Sequence, residues 1–260
     1  MCTGKLMVIG IGPGAPDEMT LRARSALESA DVIVGYKTYL ALLTPWLTGK
    51  KVVGSGMMQE LQRCAEALKR ARKGERVALI SSGDAGVYGM AGPVYELLLE
   101  SGWRPDGGLT VEVIPGVTAL LSCASRIGAP LTHDFCAISL SDLLTPWTVI
   151  EKRLHAAASA DFVTALYNPK SRKRTEQIVQ AQAIFLHHRT PDTPVAIVTA
   201  AGRERESTTL ADLATMLTHP IGMQTTLLIG NSTTFVQSGV MVTPRGYSDK
   251  YDLGKAMERT

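Results

Sequence analysis

Three short, almost wholly apolar segments each run straight into a glycine-bearing turn. This arrangement restricts the fold more than any other feature of the chain. Residues 5–11 end in Gly10-Ile11-Gly12-Pro13-Gly14, residues 77–81 in Ser81-Ser82-Gly83-Asp84-Ala85-Gly86, and residues 110–114 in Pro115-Gly116-Val117-Thr118-Ala119. A continuous apolar run of roughly 4–8 residues bounded by turn residues marks a strand buried on both faces. Helical patterns lie between these strands. Residues 20–30 place Ala23, Ala26, Leu27 and Ala30 on one face. Residues 60–73 do the same with Leu61, Cys64, Ala65, Leu68 and Ala71 and stop at Gly74, and residues 88–101 stop at Gly102. Further short strands are expected at 31–35 and 51–53. Strands alternating with helices require a parallel sheet covered by helices.

The pattern restarts after Gly116. Helices are expected at 118–127, 148–158, 171–187 and 210–217, the last preceded by an extended segment at 206–209, and strands at 133–140, 162–167, 194–199 and 225–229. The expected architecture is therefore α/β: two lobes with mostly parallel sheets and a cleft between them. Residues 1–116 form the N-terminal lobe, 117–245 the C-terminal lobe and 246–260 a polar tail. A cleft between lobes is a usual place for a ligand.

Several function classes are disfavoured. A net charge of +3 over 260 residues is too small and too dispersed for a protein that binds nucleic acid by neutralising phosphates. No apolar run approaches the roughly 18 residues of a membrane span, and the first residues lead directly into a strand without a leader pattern, so a cytoplasmic location is expected. Cys2, Cys64, Cys123 and Cys136 are scattered, without the close spacing of a zinc or redox motif. Neither a structural metal nor a disulfide is expected. Cys64 and Cys123 are read as small core residues.

In open parallel sheets, ligands bind beyond the carboxyl ends of the strands, and glycine there lets a ligand approach the backbone. Three such turns point to one shared site. Gly10, Gly12 and Ala15 satisfy the spacing of a dinucleotide fingerprint, but Pro13 and Pro16 each remove an amide that would meet a phosphate. The second strand ends in Val34-Gly35-Tyr36-Lys37 without the acidic residue that reads a ribose. Residues 8–21, 81–99 and 114–125 contain no Lys or Arg, whereas a polyphosphate site normally supplies a cation. A neutral or cationic ligand is expected instead. Asp84, the one charged residue of the middle turn, either faces an amine or sulfonium or closes a turn with Gly86.

The stretch Val8-Ile-Gly-Ile-Gly-Pro-Gly-Ala-Pro-Asp-Glu-Met-Thr-Leu21 resembles the opening motif of the tetrapyrrole methyltransferases that use S-adenosylmethionine. Ser82-Gly-Asp-Ala-Gly-Val-Tyr-Gly89 resembles their second motif and Pro115-Gly-Val-Thr-Ala119 their third, and the likeness extends to Thr243-Pro-Arg-Gly-Tyr247. Within that family, Val34-Gly-Tyr-Lys-Thr-Tyr39, residues 128–147 and Leu166-Tyr-Asn-Pro169 are similar to the precorrin-3B C(17)-methyltransferase and cobalt-factor III methyltransferase branch. The wording of residues 82–90 leans toward the cobalt-dependent type.

The resemblance implies a homodimer that binds S-adenosylmethionine and methylates C-17 of precorrin-3B or its cobalt-containing counterpart, cobalt-factor III, with contraction of the ring. Carried over residue by residue, Gly12, Pro13, Gly14, Ser82, Gly83, Asp84, Val87, Thr118, Ala119, Tyr167, Asn168 and Gly202 would contact the cofactor. Many members have Gly-Asp-Pro where this chain has Gly83-Asp84-Ala85. Ring contraction moves protons, and His133, Asp134 and Asp142 are the candidate acids and bases. The alternative for His133 is a strand-start histidine bonded to Asp134. A substrate rich in carboxylates calls for cations and ring contacts, for which Tyr36, Lys37, Tyr39, Arg203 and Arg245 are candidates. The competing functions are methylation at another position, a nicotinamide-dependent oxidoreductase, and a tetrapyrrole carrier without activity.

Overall fold

A computed structural model describes residues 4–254. Cys2 and the last six residues of the expected tail lie outside the described residues. Two compact units divide the chain. One runs to Ala119 and takes in Gly202–Glu204; the other comprises Leu120–Ala201 and the chain from Arg205 on. The division at 116 therefore misses a short excursion. Gly202, at φ +70°, lies so close to the first turn that a Cβ there would stand 3.1 Å from the Ala15 nitrogen.

The first unit is a parallel sheet with helices on both faces. Its elements are β1 (Lys5–Gly10), α1 (Leu21–Ser29), β2 (Val32–Tyr36), the short helices α2 (Lys37–Leu40) and α3 (Thr44–Leu47), β3 (Lys51–Ser55), α4 (Glu60–Ala71), β4 (Arg76–Ser81), α5 (Ala91–Glu100) and β5 (Thr110–Ile114). The strand order is β3-β2-β4-β1-β5, and every pairing is parallel. Alternation along β1 supplies both layers: Leu6 and Val8 pack with Cys64, Leu68 and Leu98, while Met7 and Ile9 pack with Leu27 and Leu43. Each such side chain, taken fully out of water, contributes about 1.5–3 kcal/mol. Thr20 ends the chain's approach to α1 by accepting the Ala23 amide at 3.1 Å, an N-cap.

The helix expected at 88–101 begins only at Ala91. Tyr88 sits at φ +53°, a left-handed backbone that a helix cannot contain, so residues 84–90 form a turn.

The second unit contains α6 (Ala119–Ser125), β6 (Gly128–Ala129), β7 (Phe135–Ser139), α7 (Trp147–Ser159), β8 (Val163–Tyr167), α8 (Glu176–His188), β9 (Pro194–Thr199), β10 (Ser207–Asp212), β11 (Thr225–Ile229), β12 (Phe235–Gln237), β13 (Val240–Val242) and α9 (Tyr247–Lys250). The α/β class holds, but the expected parallel pairing does not extend here. In the order β10-β9-β11-β8-β7 only β7 and β8 run parallel; the other pairs are antiparallel. The connections after β9 explain the difference. Of the segment read as a helix at 210–217, residues 210–212 end strand β10, which turns straight back on β9, residues 213–215 are a turn, and Met216–Thr218 makes a 3₁₀ turn. Without a crossover helix, consecutive strands can only pair antiparallel.

Helix α8 likewise starts later than expected. Ser171 Oγ accepts the amides of Lys173 and Arg174 at 3.3 and 3.1 Å and holds a turn there. Arg189 is buried beneath this sheet and donates to the carbonyls of Gly230 and Phe162, the latter at 2.6 Å.

Candidate functional site

Strands β4, β1 and β5 are neighbours, with Gly10 opposite Ser81 and Ile9 opposite Ile114. Their carboxyl ends therefore coincide, and the three glycine turns leave the sheet side by side. The backbone ties them together. The Ile11 amide donates to Ser81 O at 2.9 Å, Gly12 N–H to Gly83 O at 3.1 Å, and Gly83 N–H to Gly12 O at 2.7 Å. A Cβ at Gly10 would stand 2.7 Å from both Gly116 N and Gly83 O, and one at Gly116 would collide with the carbonyls of Gly83 and Gly10. These two glycines are required for the loops to meet one another, a demand as strict as the ligand approach for which they were first read.

Asp84 makes the turn expected of it, its Oδ1 accepting the Gly86 amide at 2.7 Å. It also does what sequence reasoning missed: Oδ2 accepts the Gly116 amide at 2.9 Å and fixes the third loop to the second. Thr20 Oγ1 adds a bond to Pro115 O at 3.3 Å. Thr118 and Ala119 then lie against the second loop, 3.7 Å from where a Gly83 Cβ would be. Val87 follows on the exposed side of that loop.

The same hydrogen bonds leave the first part of the first glycine turn with little to offer a dinucleotide. A pyrophosphate needs free amides at the first turn; here those of Ile11 and Gly12 are bonded to the second loop, and Pro13 has none.

The absence of cations along the loops does not hold in space. Arg203 Nε donates to Pro13 O at 2.8 Å, and its Nη2 donates to Ser82 Oγ at 3.0 Å. Burial lowers the Arg203 pKa below the ordinary arginine value. Arg203 was expected to meet substrate, but the structure spends these donors on the loops. Gly14 lies beneath the arginine stem.

Tyr36, at the end of β2, and Tyr39, in α2, pack edge to face with ring centres 5.2 Å apart. Burial raises the Tyr39 pKa, against the opposing charge of Arg203. Lys37 is exposed at the start of α2. Sequence reasoning missed Arg63. It is 5% exposed, donates from Nε to Ser55 Oγ at 2.6 Å and from Nη2 to Gly56 O at 2.9 Å, and covers the Tyr36 ring at 5.9 Å. Its place beside Cys64 and Ala67 on the apolar face of α4 was the available signal.

The remaining candidates belong to the second unit. The Tyr167 hydroxyl accepts the Leu120 amide at 2.8 Å, at the start of α6. Asn168, at φ +49°, donates from Nδ2 to Ser139 Oγ at 3.0 Å. His133 lies two residues before β7; its Nδ1 accepts the Asp134 amide at 2.8 Å, and both side chains are exposed. Asp142 accepts from Gln177 Nε2 at 2.7 Å and faces Arg174 Nε at 3.9 Å. Arg174, also missed from sequence, donates to the carbonyls of Leu140 and Asn168 at 2.9 and 2.5 Å. Arg245 is exposed, with Nη1 3.4 Å from Thr132 O. The first unit thus gathers Gly12, Pro13, Gly14, Ser82, Gly83, Asp84, Thr118, Ala119, Gly202 and Arg203 around the carboxyl ends of β4, β1 and β5, and the acid–base candidates His133, Asp134 and Asp142 belong to the second unit.

Known proteins resemble the chain in sequence and fold. Residues 5–217 match the family of Tetrapyrrole (Corrin/Porphyrin) Methylases. The chain is 56% identical to the Cobalt-factor III methyltransferase of Priestia megaterium over 97% of its own length, but spans 47% of that longer protein. It is 50% identical to a Probable cobalt-factor III C(17)-methyltransferase of Salmonella typhimurium, covering 94% of this chain and 99% of that one. Among solved structures, the methyltransferase CobJ superimposes with a TM-score of 0.86 at 36% identity, over 93% of this chain and all of that one. The uroporphyrin-III C-methyl transferase of Thermus thermophilus complexed with S-adenosyl homocysteine does so with a TM-score of 0.66 at 25% identity, over 87% and 97%. With family match, relatives and fold in agreement, the chain belongs to the tetrapyrrole (corrin/porphyrin) methylases.

Proposed function

We propose that this methyltransferase transfers the methyl group of S-adenosylmethionine to C-17 of cobalt-factor III, coupled to ring contraction in cobalamin biosynthesis. Precorrin-3B is the metal-free alternative. The observation that carries the cofactor assignment is the set of three loops: bonded to one another through Gly12, Gly83, Asp84 and Gly116, they leave no amide at 11–13 for a phosphate. They offer backbone, the Ser82 O–H, whose oxygen accepts from Arg203, and the charge of the Asp84 carboxylate, whose oxygens hold the loops, a setting that fits an amino-acid nucleoside carrying a sulfonium. When bound, S-adenosylmethionine supplies an activated methyl group on sulfur and leaves as S-adenosylhomocysteine once that group has moved to carbon. The substrate follows the cobalt-factor III names of relatives 56% and 50% identical.

The chain's own task is alignment and exclusion of water. Asp84 and Arg203 hold the loops, and Tyr36 and Tyr39 offer ring faces and a neutral phenol. Of the acid–base candidates, His133 keeps Nε2 for proton transfer, since Nδ1 is occupied by the Asp134 amide. Asp142 serves to hold Arg174 and Gln177. A homodimer in the cytoplasm is the working state we assign; no helix among the described residues is long and apolar enough to cross a membrane.

The test is incubation with methyl-labelled S-adenosylmethionine and either cobalt-factor III or precorrin-3B, followed by mass spectrometry. Label at C-17 of a contracted ring, formed faster from the cobalt substrate, is expected. Binding of NAD but not of S-adenosylhomocysteine overturns the cofactor assignment, and tetrapyrrole binding without label transfer indicates a carrier.

A further inference from the structure

We infer that Arg203 is a positioning residue that sets the spacing of the first two cofactor loops; this rests on the cofactor reading above. The backbone pair between Gly12 and Gly83 joins the loops at their base. Beyond it, Pro13 and Ser82 have no backbone bond to each other, and Arg203 spans them: Nε to Pro13 O at 2.8 Å, Nη2 to Ser82 Oγ at 3.0 Å. The arginine comes from far along the chain, 190 residues from Pro13 and 121 from Ser82. Its approach depends on two glycines. A Cβ at Gly14 would stand 2.6 Å from Arg203 Cγ, and one at Gly202 3.1 Å from Ala15 N. Both adopt positive φ. The local backbone is thus shaped on both sides to seat this side chain.

The guanidinium suits the role in two ways. Its donors lie in one rigid plane, so two acceptors on different loops are held at a defined separation, which the single ammonium of lysine does not do. It is also desolvated, and hydrogen bonds to a charged group are stronger than neutral ones where water is scarce. A ligand seated on Pro13 and Ser82 meets loops already in place and loses less freedom on binding than it would against a loose pair.

The experiment is a double-mutant cycle on S-adenosylhomocysteine affinity, measured by calorimetry for the wild type, Arg203→Met, Ser82→Ala and the double variant, with Arg203→Lys as a fifth protein. Arg203→Met is expected to weaken binding about tenfold or more and Ser82→Ala less. The loss in the double variant should fall short of the product of the two single losses, because both changes remove the bond between Arg203 and Ser82. Arg203→Lys should stay weak. Should Arg203→Met not unfold cooperatively, the cycle is run with Arg203→Lys. Affinity within about twofold of wild type in the arginine variant, or losses that multiply in the double variant, overturn the inference while leaving the cofactor reading intact. Failure of the wild type to bind S-adenosylhomocysteine overturns the cofactor reading and this inference with it.

Discussion

Asp84 Oδ2 accepts the Gly116 amide at 2.9 Å, and through that bond the second glycine loop holds the third. The other oxygen closes the second loop on Gly86. Asp84→Ala therefore frees two amides at once and should cost about 1–3 kcal/mol of stability, with a clear loss of S-adenosylhomocysteine affinity. Asp84→Asn keeps one acceptor oxygen and should fall between. Urea denaturation and calorimetry on the three proteins decide it; an alanine variant as stable and as tight as wild type would show that the bond is idle.

Gly10 and Gly92 make a matched pair of tests. The contacts a Cβ would meet at Gly10 are backbone atoms of Gly116, Gly83 and Ala85, which cannot swing aside, so Gly10→Ala must force the loops apart at about 1–3 kcal/mol. A Cβ at Gly92 meets nothing within 4 Å, and the residue lies inside α5. Gly92→Ala should stabilise by up to about 1 kcal/mol. Opposite shifts in the urea midpoint are expected.

Asp31 binds Arg76 through both oxygens, at 2.6 Å and 3.0 Å, and this holds its pKa at about 2 instead of the ordinary 3.8. A carboxylate with a lowered folded-state pKa stabilises the fold above the ordinary value, and that contribution fades as the pH falls toward 2. Asp31→Asn should flatten the loss of stability between about pH 4 and 2. Both side chains are roughly half exposed, so solvent limits the effect to about 1 kcal/mol or less. Parallel unfolding curves across that range with unchanged pH slope would refute the assignment.

Cys64 is sealed inside the first unit, and burial pushes its thiol up to about 12. Alkylation requires the thiolate. Iodoacetamide at pH 8 should leave Cys64 unmodified in the native protein and label it after denaturation, as peptide mass spectrometry would record. Rapid native labelling would contradict the packing.

Much of the first unit was legible because its strands are buried on both faces. A run such as Val77–Ala78–Leu79–Ile80 has no stable surface placement, and the glycines after it can only be turns. The second unit was harder. Leu210, Leu213 and Leu217 fall at helical spacing, yet residues 207–212 pair with β9 as a strand, since partner contacts outweigh intrinsic preference in short segments. At the loops, the three turns were legible, but the bond from Asp84 to Gly116 and the burial of Arg63 were not.

By itself the sequence determined which strands are buried and where three glycine turns must fall, because these depend on local composition and spacing; the family was legible only as a resemblance carried by the motifs in those turns. Tertiary structure alone decided the antiparallel course of the second sheet, which follows from how its connections return. It also decided the electrostatics of the loops. Their own residues carry no Lys or Arg, yet Arg203 arrives on Pro13 from 190 residues away, and no local pattern records a contact made by chain reversal over that distance.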